Sequence, residues 1–125
     1  MQQYITAHMN VAKEYAKLSH AVRLKVGAAL VSPDNTRVLV TSFNGTPSGW
    51  YTNVCEYTNE DGSLTTKPEV VHAELNAIAF AAKYGIPTKD CIMYVTHSCC
   101  TECAKNMIQA GIKTVYYIHE YRRRQ

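Results

Sequence analysis

The second half of the chain alternates helix and strand patterns, and this alternation restricts its fold more than any other feature. Glu69 to Tyr84 is an Ala-rich run that closes at Gly85, the residue type that ends a helix in a left-handed turn. Cys91 to Thr96 is a short apolar run and reads as a buried strand. Thr101 to Ala110 reads as a second helix closed by Gly111, and Lys113 to Ile118 as the last strand. With a strand ahead of it, this succession predicts an α/β layered sheet, its final strands parallel and joined by right-handed crossovers.

Before that block, Ile5, Met9, Ala12, Tyr15 and Ala16 fall at spacings of three and four, which marks residues 3–18 as an amphipathic helix. Val26 to Val31 and Arg37 to Phe43 read as two strands, with the turn residues Ser32, Pro33, Asp34 and Asn35 between them. Asn44 to Pro68 reads as one long irregular stretch. Such a connection in a compact domain is functional or disordered, and Trp50, Tyr51 and Tyr57 favour function, because disordered segments are poor in aromatics.

No repeat or linker divides the sequence, and 125 residues with 46% hydrophobic content suit one domain over residues 1–125. There is no run of about 18 apolar residues to cross a membrane. The N-terminal segment lacks the apolar region of a signal peptide, so a cytoplasmic protein is expected. The net charge of +3 includes the run Arg122, Arg123 and Arg124, which fits either a phosphate contact or a solvated tail.

The cysteines Cys55, Cys91, Cys99, Cys100 and Cys103 are odd in number and unevenly clustered, which argues against a disulfide framework and for metal or catalysis. Two pieces stand out: His72-Ala73-Glu74 at the start of the Ala-rich helix, and Cys100-Thr101-Glu102-Cys103 at the start of the next. A hydrolytic zinc site takes three protein ligands and keeps a fourth position for water. Cys100 and Cys103 can aim two sulfurs at one ion across a helix start, where backbone N–H groups favour the ligating thiolate. His72 supplies a third ligand, since strand-end and helix-start positions share one edge of such a sheet. Residues two apart on a helix point about 200° away from each other. Glu74 therefore faces the same spot only over the helix end, as a proton shuttle beside the metal and not as a ligand. Alone, the Cys pair also fits a redox motif, or a structural zinc site closed by Cys99 or Cys55.

His-x-Glu followed by Cys-x-x-Cys is the signature of zinc-dependent nucleobase and nucleotide deaminases. The stretches Val26–Ala29, Phe43–Gly49, His72–Ile78 and Cys103–Ile112 resemble the deoxycytidylate (dCMP) deaminase family, and the resemblance runs over about residues 5–121. It implies a cytidine-deaminase-like three-layer α/β/α sandwich around one mixed central sheet. It implies catalytic Zn2+ on His72, Cys100 and Cys103, and Mg2+ accompanying bound nucleotide phosphates. The implied reaction is dCMP plus water giving dUMP and ammonia, feeding thymidylate synthesis, with zinc-bound hydroxide attacking C4 and Glu74 as the proton shuttle. For substrate contacts it implies Arg23 and Lys25 on the phosphate and Asn44 on the deoxyribose. Ala73 serves the base carbonyl, Thr96, His97 and Ser98 lie beside the base, and Tyr121 packs near the nucleotide. Its regulatory region corresponds to Asn44, Gly45, Pro47 and Gly49, with dCTP and dTTP as effectors. It also implies a homo-oligomer, a hexamer by preference, and no nucleic-acid or membrane partner. Cys99 stands where the family has Pro, and relatives continue with a further strand and helix. Cys55 lacks the accompanying histidines that would hold a second zinc.

Overall fold

The computed structural model of the chain describes residues 1–119. The elements follow in the order α1 (Gln2–Ala16), β1 (Gly27–Val31), β2 (Val38–Phe43), β3 (Glu56–Thr58), β4 (Leu64–Thr66), α2 (Ala73–Tyr84), β5 (Ile92–His97), α3 (Thr101–Gln109) and β6 (Thr114–His119). Four strands form one sheet in the order β2-β1-β5-β6, and β3 and β4 form a separate hairpin. β1 is antiparallel to both its neighbours, whereas β5 and β6 are parallel. The sheet is therefore mixed, as expected.

Every residue of β1 is buried, as a central strand covered on both faces requires. Its side chains alternate between two cores. Ala28 and Leu30 join Met93 and Val95 of β5 against Ala73, Ala77 and Ala81 of α2 and Cys103 and Met107 of α3. Ala29 and Val31 join Ile92 and Tyr94 against Ala12, Ile5 and Met9 of α1. Small residues on α1 and α2 let both helices sit close to the sheet, and the result is a three-layer α/β/α sandwich. α1 lies so near β1 that a Cβ at Gly27 would be 1.9 Å from the Ala12 carbonyl oxygen. Only glycine fits there.

On the α1 face the core holds a polar network. The Tyr94 hydroxyl donates to Asn35 Oδ1 at 2.6 Å, and His8 Nε2 lies 2.8 Å from the Asn35 carbonyl oxygen. Asn35 adopts φ +65°, a left-handed conformation that asparagine tolerates better than most residues. Burial pushes the Tyr94 hydroxyl above its usual pKa range, so it remains a donor. Tyr94→Phe strands the Asn35 amide oxygen and should destabilise the protein by about 1–3 kcal/mol, seen as a lower midpoint in thermal unfolding.

Two expectations need correction. The Ala-rich helix begins at Ala73, not Glu69, because Pro68 and Glu69 lie in a turn closed by Val70 N on the Lys67 carbonyl, Val71 then bridges to Gly45, and His72 is extended. The stretch from Asn44 to Pro68 is not structureless: it contains the β3–β4 hairpin, in which Glu56 pairs with Thr66 and Thr58 with Leu64.

The strand directions place the site. β2, β5 and β6 all point one way, so their carboxyl ends and the amino end of β1 share one edge. In open α/β sheets, ligands bind at that edge.

Candidate metal centre

Two helix starts converge at this edge. β5 ends at His97, and shortly afterwards Cys100 caps α3 in extended conformation (φ −80°, ψ 171°), its sulfur 3.5 Å from the Cys103 N–H nitrogen that donates to it. His72 caps α2, also extended (φ −67°, ψ 151°). Backbone hydrogen bonds between Val71 and Gly45, at 2.8 and 3.1 Å, return the chain to the end of β2 after its long excursion. Ser42 Oγ then donates to the Ala73 carbonyl at 2.6 Å, and Asn76 Nδ2 to the Phe43 carbonyl at 2.8 Å, which fixes the first turn of α2 against β2.

His72 Nδ1 lies 3.0 Å from Cys103 Sγ and 3.4 Å from Cys100 Sγ. All three ligand atoms fall within 4.8 Å of one another. A tetrahedral zinc, with Zn–S near 2.3 Å and Zn–N near 2.0 Å, separates its ligand atoms by about 3.5–3.8 Å. The two His72–sulfur distances fit zinc with shifts of up to about half an ångström, and an imidazole with two thiols is a donor set that zinc prefers. Cys103 is buried and the other two are half-buried, so the cluster lies between core and solvent. Three ligands fill three positions and leave a fourth for water or substrate, the pattern of catalytic rather than closed structural zinc.

Among the described residues the cluster comprises these three, and Cys99 is not part of it. Cys55 and Cys91 lie elsewhere, donating to the Asn53 and Pro87 carbonyls. Burial pushes both thiols above their ordinary pKa, with Glu56 beside Cys55 and Asp90 beside Cys91 adding to it. Both stay protonated at neutral pH and poorly nucleophilic.

Glu74 occupies the first turn of α2 and is wholly buried, at 0% exposure. Carboxylates are almost never buried to that degree without a specific role or partner. An acid at a helix N-terminus suits the macrodipole, so α2 accepts it without strain.

Asn44 directly follows β2 and Thr96 and His97 end β5, at the same edge, and the other expected site residues that are described have distinct local duties. Asn44 clamps the end of the α1–β1 loop: its Oδ1 accepts from Val26 N at 2.9 Å and its Nδ2 donates to the Leu24 carbonyl at 2.8 Å. An amide side chain has two lone pairs and two protons, so this clamp does not exhaust it. Thr96 is buried, with Oγ1 accepting from Gly27 N at 3.2 Å and 3.0 Å from His97 Nδ1. Ser98 N donates to the His119 carbonyl, and the His97 and His119 rings stand 5.0 Å apart. Lys25 Nζ donates to the Ser19 carbonyl. Arg23 is exposed, with Nη1 donating to Thr66 Oγ1 at 3.0 Å. Gly45 carries the bridge to Val71. Pro47 and Gly49 shape a tight turn closed by Trp50 N donating to the Pro47 carbonyl, with Gly49 at φ +81°. Tyr121 and the three terminal arginines lie outside the described residues.

One residue near the site escaped the sequence reading. Glu56, 8% exposed, accepts from Val22 N at 2.9 Å and Arg23 N at 3.1 Å through one carboxylate oxygen. Its sequence signal is only an acid beside the apolar Cys55 in a long polar loop.

Fold and cluster together define a zinc-site protein of the α/β/α sandwich class. Residues 2–119 match the family described as the cytidine and deoxycytidylate deaminase zinc-binding region, and the chain belongs to that family. It is 37% identical over 123 residues to ComE operon protein 2 of Bacillus subtilis, covering 96% of this chain and 60% of that one. It is 40% identical over 114 residues to human deoxycytidylate deaminase, covering 90% of this chain and 62% of that one. The chain thus spans less than two thirds of either relative. Among solved structures, it is similar to the dCMP deaminase of cyanophage S-TIM5 in complex with dCMP and dUMP, with TM-score 0.84, 44% identity, and coverage of 94% of this chain and 82% of that one. No described helix is long and apolar enough to cross a membrane.

Proposed function

We propose that this chain converts dCMP and water to dUMP and ammonia. The observation that carries this reading is the His72, Cys100 and Cys103 cluster with the wholly buried Glu74 in the adjoining helical turn. The choice of dCMP is supported by relatives known as deoxycytidylate deaminases and by the similar cyanophage enzyme, whose structure holds dCMP and dUMP.

Zinc held by His72, Cys100 and Cys103 would supply Lewis acidity, which lowers the pKa of a water beside it to about 7. Glu74 moves the protons. It takes one from the attacking water and passes it to N3 as the C4–O bond forms. It then takes the remaining proton of that water, now on the C4 hydroxyl, and passes it to the amine as the C4–N bond breaks and the C4 carbonyl forms, leaving dUMP and ammonia. The Ala73 N–H, among the α2 amides that lack an intrahelical acceptor, takes the base carbonyl. Thr96, His97 and Ser98 line the floor beside the base, and Asn44 contacts the deoxyribose. Arg23 takes the 5′-phosphate by the bidentate bonding a guanidinium allows, with Lys25 adding charge. Mg2+ accompanies the nucleotide phosphates. Assembly as a hexamer, and control by dCTP and dTTP through Asn44, Gly45, Pro47 and Gly49, belong to the same reading.

A panel of dCMP, dCTP, deoxycytidine and cytidine, assayed for ammonia release by the zinc-loaded protein, tests it. The expected kcat/KM for dCMP exceeds that for deoxycytidine by about 100-fold or more, the worth of two or more charged hydrogen bonds to phosphate. Equal values would remove the phosphate role of Arg23, and a higher value for dCTP would change the substrate to the triphosphate.

A further inference from the structure

The α1–β1 loop, residues 17–26, is held from two sides by the long excursion between β2 and α2. At its end, Asn44 bonds Leu24 and Val26, and Ser19 Oγ donates to the Asn44 carbonyl at 2.8 Å. At its middle, the Glu56 carboxylate takes both the Val22 and Arg23 amides. Arg23 is then gripped twice by one hairpin, because Thr66, which accepts from the guanidinium, is the cross-strand partner of Glu56 in the β3–β4 pair. One backbone grip and one side-chain grip, from facing residues, define both where Arg23 starts and where its head lies.

The arrangement has a physical rationale. A long exposed arginine carries about 2 kcal/mol of rotamer freedom, which a bound anion would otherwise have to freeze. A buried carboxylate needs strong partners, and Glu56 finds them in the backbone amides of Val22 and of Arg23, the residue whose head must be placed. The loop adjoins the metal centre through Asn44, whose neighbour Gly45 bridges to Val71 directly before His72.

We infer that the β3–β4 hairpin sets phosphate specificity, with Glu56 and Thr66 as positioning residues that hold Arg23 ready for the 5′-phosphate. The inference rests on the assignment of Arg23 to that phosphate. Neither residue touches the reacting atoms. Their loss should weaken capture of the charged end of the substrate and leave the chemistry at C4 alone.

The test compares Glu56→Ala, Glu56→Gln, Thr66→Val and Arg23→Ala in the zinc-loaded protein on dCMP and on deoxycytidine at high enzyme concentration. Glu56→Ala should raise KM for dCMP about tenfold or more, with kcat within about twofold and kcat/KM for deoxycytidine unchanged. Glu56→Gln, which keeps an acceptor oxygen, should recover part of that loss. Thr66→Val, close in shape and remote from the core, should raise KM for dCMP about three- to fivefold and add nothing on top of Arg23→Ala. Equal losses on both substrates in Glu56→Ala would assign it a purely structural role and overturn the inference. An unchanged KM in Thr66→Val would also overturn it, even if Glu56→Ala fails to fold. If Arg23→Ala impairs dCMP while Glu56→Ala and Thr66→Val do not, the inference falls and the phosphate assignment stands. If Arg23→Ala leaves dCMP unaffected, both fall.

Discussion

Glu74→Gln should lower kcat on dCMP by about 10²–10⁴-fold, with KM little changed and zinc still bound. The substitution keeps shape and hydrogen-bonding reach but removes the group that can accept a proton. Glu74 is wholly buried in the first turn of α2, two residues after His72, the proposed ligand. Because the amide matches the carboxylate in size and keeps an acceptor oxygen, the thermal midpoint should change little. A purely structural Glu74 makes the opposite forecast: reduced stability and little change in kcat. Elemental analysis of zinc beside the steady-state rate separates the two. A variant with stoichiometric zinc and near-normal turnover would remove Glu74 from the proton-transfer role.

The sequence made some parts of this architecture plain and hid others. The helix stops at Gly85 and Gly111 are visible because a left-handed residue leaves a residue-type mark, and both glycines have positive φ. The cluster was visible for a related reason. His72 and Cys100 are both helix caps, and a cap is a local event marked by where periodicity begins. The β3–β4 hairpin was hidden because each strand has only three residues, too few for an alternation to register. The true start of α2 was hidden because it depends on Val71 meeting Gly45, a contact between distant stretches with no local signature. Glu56 was hidden for the same reason. Its partners are the backbone amides of Val22 and Arg23, and backbone amides carry no residue identity to search for.

The ligand assignment makes the other large forecast, and the adjacent thiols Cys99 and Cys100 make it sharp. Cys100→Ala and Cys103→Ala should each abolish stoichiometric zinc and lower activity by more than about 10³-fold, since two remaining ligands do not fix the metal. Cys99→Ala should keep the zinc and most of the activity, because Cys99 stands outside the cluster that His72 Nδ1 makes with the other two sulfurs. Stability supplies a second readout. A metal that binds only the folded chain stabilises it by mass action, about 4 kcal/mol at a thousandfold excess over its dissociation constant. A strong chelator should therefore lower the thermal midpoint of the wild type and of Cys99→Ala by many degrees. It should leave Cys100→Ala and Cys103→Ala where they already are, because those variants have no bound metal to lose. Loss of zinc in Cys99→Ala with retention in Cys100→Ala would move the ligand by one residue. Cys100 would then be left only as the cap of α3, where its sulfur already takes the Cys103 amide.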